Sequence, residues 1–260
     1  MRFVERLESQ SAATGPLLPS LLGDLFYLVA HDVQSGRGRV AASVASLGLA
    51  GALLCELVLP QQVVVAGEAV APVKWNPPPS GLGRTIWERM GAAQSRARRP
   101  VSVSDWVRFL ALDALGDVRA RLLNAGWLVE SRTRRRVGGP RVSFVAPGGT
   151  TAAAWPPIGL AKALDRGVDA LSLDEVVLGS LVAMSGLIEA VPVLRLDCPG
   201  RDNARAAYDR LRRVSQAQAG SAQTQATPDG GWVAAPVMWQ VAQVLQHTET
   251  AIGVGILAHR

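Results

Sequence analysis

The side chains of this chain that are best suited to chemistry are arginines, and they are concentrated in one segment. From Ser131 to Leu164 there is no acidic residue. The same segment carries a run of small and apolar residues with two aromatic side chains, Phe144 and Trp155. Positive charge beside apolar side chains is what binding to an anionic membrane surface requires, since each basic group adds about 1 kcal/mol and apolar insertion adds more. The basic residues of the segment are Arg132, Arg134, Arg135, Arg136, Arg141 and Lys162.

Two other interpretations of this segment stay open. The simplest is a solvated turn next to a partly buried aromatic pair. The other is a winged-helix-like nucleic-acid-binding module, in which the helix around 117–123 would enter the major groove and the arginine-rich wing would contact phosphates. That helix is short and mostly apolar. Nucleic acid is therefore the less favoured partner.

The sequence contains no recognisable catalytic or metal-binding pattern. The three histidines, His31, His247 and His259, are far apart, and none has a metal-ligand neighbour three or four residues away. No Gly-x-Ser-x-Gly, His-Glu-x-x-His or phosphate-binding P-loop motif occurs. We therefore predict no catalytic residue, no metal site and no cofactor, which means a binding protein rather than an enzyme.

The composition narrows the range of partners and cellular locations. The formal net charge is +6 and the sequence pI is about 10.3, which favours phosphate-bearing partners, although a GC-rich coding sequence would give the same excess of arginine. The two cysteines, Cys55 and Cys198, are too few for a disulfide framework. The first six residues lack the apolar stretch of a secretory signal, and the most apolar run, 47–59, is too short to span a bilayer. We expect a cytoplasmic protein whose membrane contact is peripheral.

Hydrophobic periodicity predicts a mainly α fold. Residues 1–16 are expected to form a flexible arm, residues 17–260 a single helical domain, and residues 216–231 a flexible loop within it. Strands are expected in a hairpin at 63–73 and in another around Gly138-Gly139. Ser104 is expected to cap a helix, and Gly126 to end the pair of helices that follows. Helices are predicted at 16–31, 43–59, 82–97, 160–166, 172–190, 201–214 and 232–251.

Several segments, taken in order, carry a family resemblance. The central one, Leu47–Leu57, fits the pattern Gly-Leu-x-Gly-x-x-Leu-x-Glu-Leu. Together they resemble the Golgi phosphoprotein 3 family, including its bacterial relatives. The other segments are Leu21–Leu28 with the turn Ser35–Val40, Trp106 with Val107, and Val118–Leu122 followed by Gly126-Trp127-Leu128.

The resemblance implies a single, largely helical domain with a projecting hydrophobic β-hairpin, mapped here to about 129–155. It also implies peripheral membrane binding through phosphatidylinositol 4-phosphate, coupled in eukaryotic members to retention of glycosyltransferases. The family's lipid-binding arginine in the central helix falls on Ala50, and its tryptophan falls near Ala41. Its pair of helix arginines falls on Gly116 and Arg119 in one alignment, and on Leu112 and Leu115 in another.

The predicted lipid-binding residues are therefore Arg119, Arg132, Arg134, Arg135, Arg136, Arg141, Phe144 and Trp155. The expected partner is an anionic membrane surface or a phosphoinositide-like headgroup. A third alternative is an interaction scaffold that has lost lipid binding and holds a protein partner in the groove beside the central helix.

Overall fold

The chain folds as a mainly α-helical protein, as the sequence predicted. A computed structural model describes residues 21–97, 99–133, 141–149, 155–195, 200–219 and 237–257. The helices are α1 (Leu22–Ala30), α2 (Ala42–Val58), α3 (Gly81–Arg96), α4 (Val103–Ala111), α5 (Ala114–Asn124), α6 (Trp155–Asp165), α7 (Leu173–Met184), α8 (Leu187–Ala190), α9 (Pro192–Arg195), α10 (Gly200–Ala219) and α11 (Val237–Leu257).

The described strands form three antiparallel pairs, each of two strands. Both predicted hairpins, at 63–73 and on either side of Gly138-Gly139, have their strands where they were expected. The 3₁₀ turns at 147–149 and 168–170 complete the regular structure. The strand pairs are β1 (His31–Asp32) with β2 (Arg37–Gly38), β3 (Val63–Ala66) with β4 (Ala69–Pro72), and β5 (Val129–Thr133) with β6 (Arg141–Val145).

Helix α2 is the centre of the fold, and it contacts α1, α4, α5, α7 and α11. Its neighbours approach closely because small residues face them. A Cβ atom at Gly48 would lie 2.3 Å from Cζ of Phe26 on α1, and one at Gly51 would lie 2.6 Å from Oγ1 of Thr248 on α11. A helix that is apolar on all sides is expected at the centre of a domain, and α2 fulfils that expectation. One connected core of buried side chains runs from α1 to α11.

Several helix boundaries differ from the prediction. The cap of α4 is Ser102 rather than Ser104, because its Oγ accepts a hydrogen bond from the backbone N–H of Asp105 at 3.1 Å. Helix α6 begins at Trp155, five residues before the predicted start, and its second and third residues are prolines, which the first helical turn tolerates. The helix predicted at 172–190 is interrupted at Gly186, whose φ is +69°.

The end of α5 agrees with the prediction, whereas the end of α10 does not. Gly126 follows the end of α5 with a φ of +75°, the left-handed conformation expected of a residue that ends a helix. Helix α10 continues to Ala219, so residues 216–219 of the predicted flexible loop are helical. The rest of that loop, 220–231, and the predicted arm at 1–16 lie outside the described residues.

Candidate functional site

The β5–β6 hairpin carries the first described part of the predicted site. Its strand pairing places Arg132 opposite Val142 and Glu130 opposite Phe144. The Arg132 side chain is 74 % exposed, and Val142 is 46 % exposed. Arg132 Nε lies 2.5 Å from Glu130 Oε1, an exposed pair of a kind that adds little stability. The hairpin thus presents a cation and an apolar side chain directly opposite each other on its two strands.

The remaining hairpin arginines are described only in part. Arg141 is the first residue of β6 and pairs with Thr133 on β5, the last described pair of the ladder. Its side chain lies outside what the structure describes. Arg134, Arg135 and Arg136 lie in the segment 134–140, also outside the described residues.

The base of the hairpin is held by the turn between β1 and β2. Gly36 in that turn has a φ of +66°, and a Cβ atom there would lie 2.7 Å from Cβ of Ser143 on β6. The backbone N–H of Ala146 donates to the carbonyl of Val33 at 2.8 Å. Glycine is therefore required at position 36 both by its backbone conformation and by the closeness of the two hairpins.

Two of the predicted lipid-binding residues, Arg119 and Phe144, are in contact. Cζ of Arg119 lies 4.3 Å from the centre of the Phe144 ring, and its Nε donates to the hydroxyl of Tyr27 at 3.2 Å. Phe144 is half-buried and packs against the hydrophobic core. Both side chains therefore join β6 to α5 and α1, an arrangement the sequence did not predict.

His31 extends this cluster of rings. Its ring stacks on that of Tyr27, with the centroids 4.1 Å apart, and its Nδ1 donates to the carbonyl of Tyr27 at 3.0 Å. Burial lowers the pKa of His31, and the nearby charges of Arg119 and Arg39 lower it further. At neutral pH His31 is therefore an uncharged ring that supports Tyr27.

Trp155 lies apart from the position that the sequence predicted. It was expected in the loop at the end of the hairpin, but it is the first residue of α6. Its side chain is 44 % exposed, and Nζ of Lys162, two turns later, lies 5.0 Å from the ring centre. An exposed indole paired with an ammonium group keeps both an apolar and a basic character at this end of α6.

A buried ionic cluster beside the site was missed by sequence reasoning. Arg121 on α5 holds Glu56 on α2 through two contacts of 3.1 Å and Asp24 on α1 through one of 2.8 Å. The backbone N–H of Gly23 donates to Oε1 of Glu56 at 2.6 Å. The available signal was Glu56 itself, because an acid inside a long apolar run must find a partner when the run is buried.

The cluster alters the acidity of its members. Burial raises the pKa of Asp24 to about 6, although Arg121 acts in the opposite direction. Burial alone would lower the pKa of Arg121, but Glu56 and Asp24 more than compensate and raise it. The buried Cys55 thiol likewise has a raised pKa, chiefly through burial. Arg121 is thus a permanently charged link between α1, α2 and α5.

The described residues contain no group of three or more histidine, cysteine, aspartate or glutamate side chains placed to hold a metal ion. Across the same ranges, no helix combines the length and the apolar character needed to cross a membrane.

Comparison with known families identifies the chain. The family model of Golgi phosphoprotein 3 (GPP34) matches residues 22–243, which include every described element from α1 to the first third of α11. The chain belongs to the Golgi phosphoprotein 3 family. A comparison with curated proteins found no match. The family match begins within the first of the segments that carry the resemblance and extends well beyond the last of them.

The structure shows what surrounds the positions where the Golgi phosphoprotein 3 family is expected to bind its lipid. Ala50 is fully buried on α2, whereas Ala41 immediately precedes that helix and is exposed. Gly116 is exposed on α5, with nothing within 4 Å of the place a Cβ would occupy. In the alignment that places the family's two helix arginines on Gly116 and Arg119, only Arg119 carries a cation, which is held by Tyr27 and Phe144. The other alignment places them on Leu112 and Leu115, neither of which is a cation.

Proposed function

We propose that this protein is a peripheral binder of anionic membrane surfaces and that the β5–β6 hairpin makes the contact. The observation that carries the proposal is the exposure of Arg132 and Val142 at opposing positions of the hairpin. A surface that joins a basic group to an apolar one suits the boundary between headgroups and acyl chains. The protein would act as a binding module of the cytoplasm rather than as an enzyme.

Charge at the end of the hairpin strengthens the proposal. Arg134, Arg135 and Arg136 follow β5 directly, and no acidic residue occurs between Ser131 and Leu164. At about 1 kcal/mol for each basic group near an anionic surface, these three would contribute roughly 3 kcal/mol of attraction. Trp155, with Lys162 over its ring, would form a second contact.

We propose binding to anionic lipid in general rather than selection of one phosphoinositide. A headgroup pocket needs several converging cations. Here the family's central-helix position is the buried Ala50, and Arg119 already contacts Tyr27 and Phe144. The supporting role of Arg119 and Phe144 is to hold the base of the hairpin in place.

The geometry of α5 argues against the nucleic-acid alternative. In a winged-helix module, α5 would be the helix that enters the major groove of the nucleic acid. Its two arginines face inward, with Arg119 in contact with Phe144 and Arg121 bound to two buried acids. Base contacts need exposed polar side chains on such a helix.

Vesicle co-sedimentation tests the proposal. Vesicles of phosphatidylcholine alone are compared with vesicles that also contain phosphatidylserine, at low and at high salt. The full chain should pellet with the anionic vesicles at low salt and be released at high salt, because screening weakens attraction between exposed charges. A vesicle that adds phosphatidylinositol 4-phosphate at equal total charge should bind no more tightly.

A matched pair of triple variants locates the contact. Replacing Arg134, Arg135 and Arg136 by alanine should weaken vesicle binding by about a hundredfold, the equivalent of roughly 3 kcal/mol. The control removes the same charge from the exposed face of α10 by replacing Arg205, Arg212 and Arg213, and it should bind nearly as the parent does. Equal loss in both variants would show that net charge, not the hairpin, makes the contact.

A further inference from the structure

A cavity of about 370 Å³ lies between the β1–β2 hairpin, the start of α6 and the segment from the end of α8 into α9. It is distinct from the hairpin surface. Its wall is mostly apolar, with contributions from Leu28, Val33, Ile158 and Val193. Small-molecule sites have volumes of this order and combine an apolar wall with a few polar groups that orient the ligand.

Arg39 is the basic group of this cavity, and its hydrogen bonding is incomplete. The side chain is only 20 % exposed, yet its buried Nε has no hydrogen-bond partner among the described residues. Its nearest acid is Asp32, at 3.9 Å from a terminal nitrogen, which is too far for a hydrogen bond. A buried N–H group without a partner carries a free-energy cost that a ligand oxygen would remove.

Asp32 does not accept a hydrogen bond from Arg39, because both of its carboxylate oxygens accept hydrogen bonds within their own turn. One carboxylate oxygen accepts from the hydroxyl of Ser35, and the other accepts from the backbone N–H of Gln34 at 3.2 Å. These bonds lower the pKa of Asp32 and hold its carboxylate in the turn. Arg39 therefore keeps unused donor capacity beside an apolar wall.

We propose that this cavity binds a small amphipathic carboxylate, with the carboxylate at Arg39 and the hydrocarbon part against the apolar wall. A guanidinium group suits this ligand because its N–H donors match the two oxygens of a carboxylate. The wall has room for a short hydrocarbon chain. The proposal is independent of the proposed membrane contact.

Thermal unfolding of the full chain with three probes tests it. Octanoate supplies both the charge and the chain, octanol only the chain, and acetate only the charge. At ten times its Kd, octanoate should raise the Tm by roughly 3–6 °C. Octanol and acetate at the same concentration should leave the Tm unchanged. An equal rise with octanol, or no rise with octanoate, would overturn the proposal.

Three variants locate the binding. Arg39→Met should lose the octanoate shift, and the matched control Arg37→Met, which alters an exposed arginine two residues away, should keep it. Ile158→Trp keeps Arg39 but reduces the space, and it should also lose the shift. This second variant decides the matter if Arg39→Met fails to fold.

Retention of the shift in Ile158→Trp, or in a folded Arg39→Met, would overturn the assignment. Vesicle binding by both variants should equal that of the parent. A failure here is thus distinguishable from a failure of the membrane proposal.

Discussion

The guanidinium carbon of Arg119 lies 4.3 Å from the centre of the Phe144 ring. A cation over an aromatic face is attracted by about 0.5–2 kcal/mol, with the larger values where water is excluded. Because Arg119 also donates to Tyr27, one side chain connects α5, α1 and β6. The hairpin is therefore attached to the helical body by a polar and an aromatic contact at Phe144, while Arg132 and Val142, farther along the strands, are exposed.

Phe144 and Val142 should respond differently to substitution, although they are two residues apart on β6. Phe144→Ser should lower the free energy of unfolding by about 1.5–3 kcal/mol, because the ring packs against the core. Val142→Thr, at an exposed position, should change it by less than about 0.5 kcal/mol. Urea unfolding measures both values.

The same two variants should show the reverse order in vesicle binding. Val142→Thr replaces one methyl group of the proposed contact by a hydroxyl and should weaken binding about fourfold, the equivalent of about 0.8 kcal/mol. The folded fraction of Phe144→Ser should bind as the parent does. If Phe144→Ser keeps its stability but loses vesicle binding, then the ring, not Val142, enters the membrane.

Substitution of Arg121, which joins α1, α2 and α5, should lower the stability of the fold strongly. Arg121→Met leaves Asp24 and Glu56 buried without a cation, which should cost about 3–5 kcal/mol. The control Arg84→Met breaks an exposed pair with Glu88 and should cost less than about 1 kcal/mol. Chemical denaturation measures the free energy of unfolding of both variants.

A rescue variant tests the electrostatic cause. Adding Asp24→Asn and Glu56→Gln to Arg121→Met removes the uncompensated charges and should restore part of the lost stability. A triple variant that is no more stable than Arg121→Met would mean that the loss comes from packing.

Asp24 should make stability depend on pH. Its pKa in the folded protein, about 6, is above the usual value of 3.8. Protonation therefore favours folding: the contribution is fully present below about pH 3.8 and is lost as the pH rises through 6. The stability of the parent relative to Asp24→Asn should fall between pH 4 and 7 by at most about 3 kcal/mol. Urea unfolding curves at several pH values measure this difference, and a constant difference would contradict it.

Trp155 offers an optical test of the second proposed contact. An indole that enters the boundary of an anionic vesicle should shift its fluorescence to the blue. Because the chain has seven tryptophans, the shift is assigned by substitution. Trp155→Phe should abolish it, and Trp75→Phe, which removes an indole that is 81 % exposed, should not. A shift lost in the Trp75 variant instead would place the segment between β4 and α3, which contains Trp75, at the membrane.

The sequence predicted the elements of the fold better than the contacts between them. Periodicity located α2 and the β3–β4 hairpin because each depends on local order of apolar and turn-forming residues. The contact of Arg119 with Phe144 joins residues from separate elements, and no local pattern specifies it. Helix α6 was predicted to begin at Leu160, whereas it begins at Trp155 and Pro156 and Pro157 occupy its first turn.

The candidate site could be predicted only where it depends on composition. The run without acidic residues shows in the sequence, so Arg132 and its neighbours were found. The cavity at Arg39 was not, because its wall comes from elements far apart in the chain. Trp155 was placed in a loop because the start of α6 was missed. Tertiary packing, which a single sequence does not display, decides these cases.

The two glycines of α2 have a consequence for how the chain can vary. Gly48 and Gly51 set the separation of α1 and α11 from the central helix, and any larger residue would have to displace Phe26 or Thr248. In a library of random single substitutions, survivors should therefore be nearly absent at these positions and abundant along the outer hairpin. Divergence among such proteins would accumulate along the hairpin, which is proposed to meet the membrane, while the central helix α2 changes slowly.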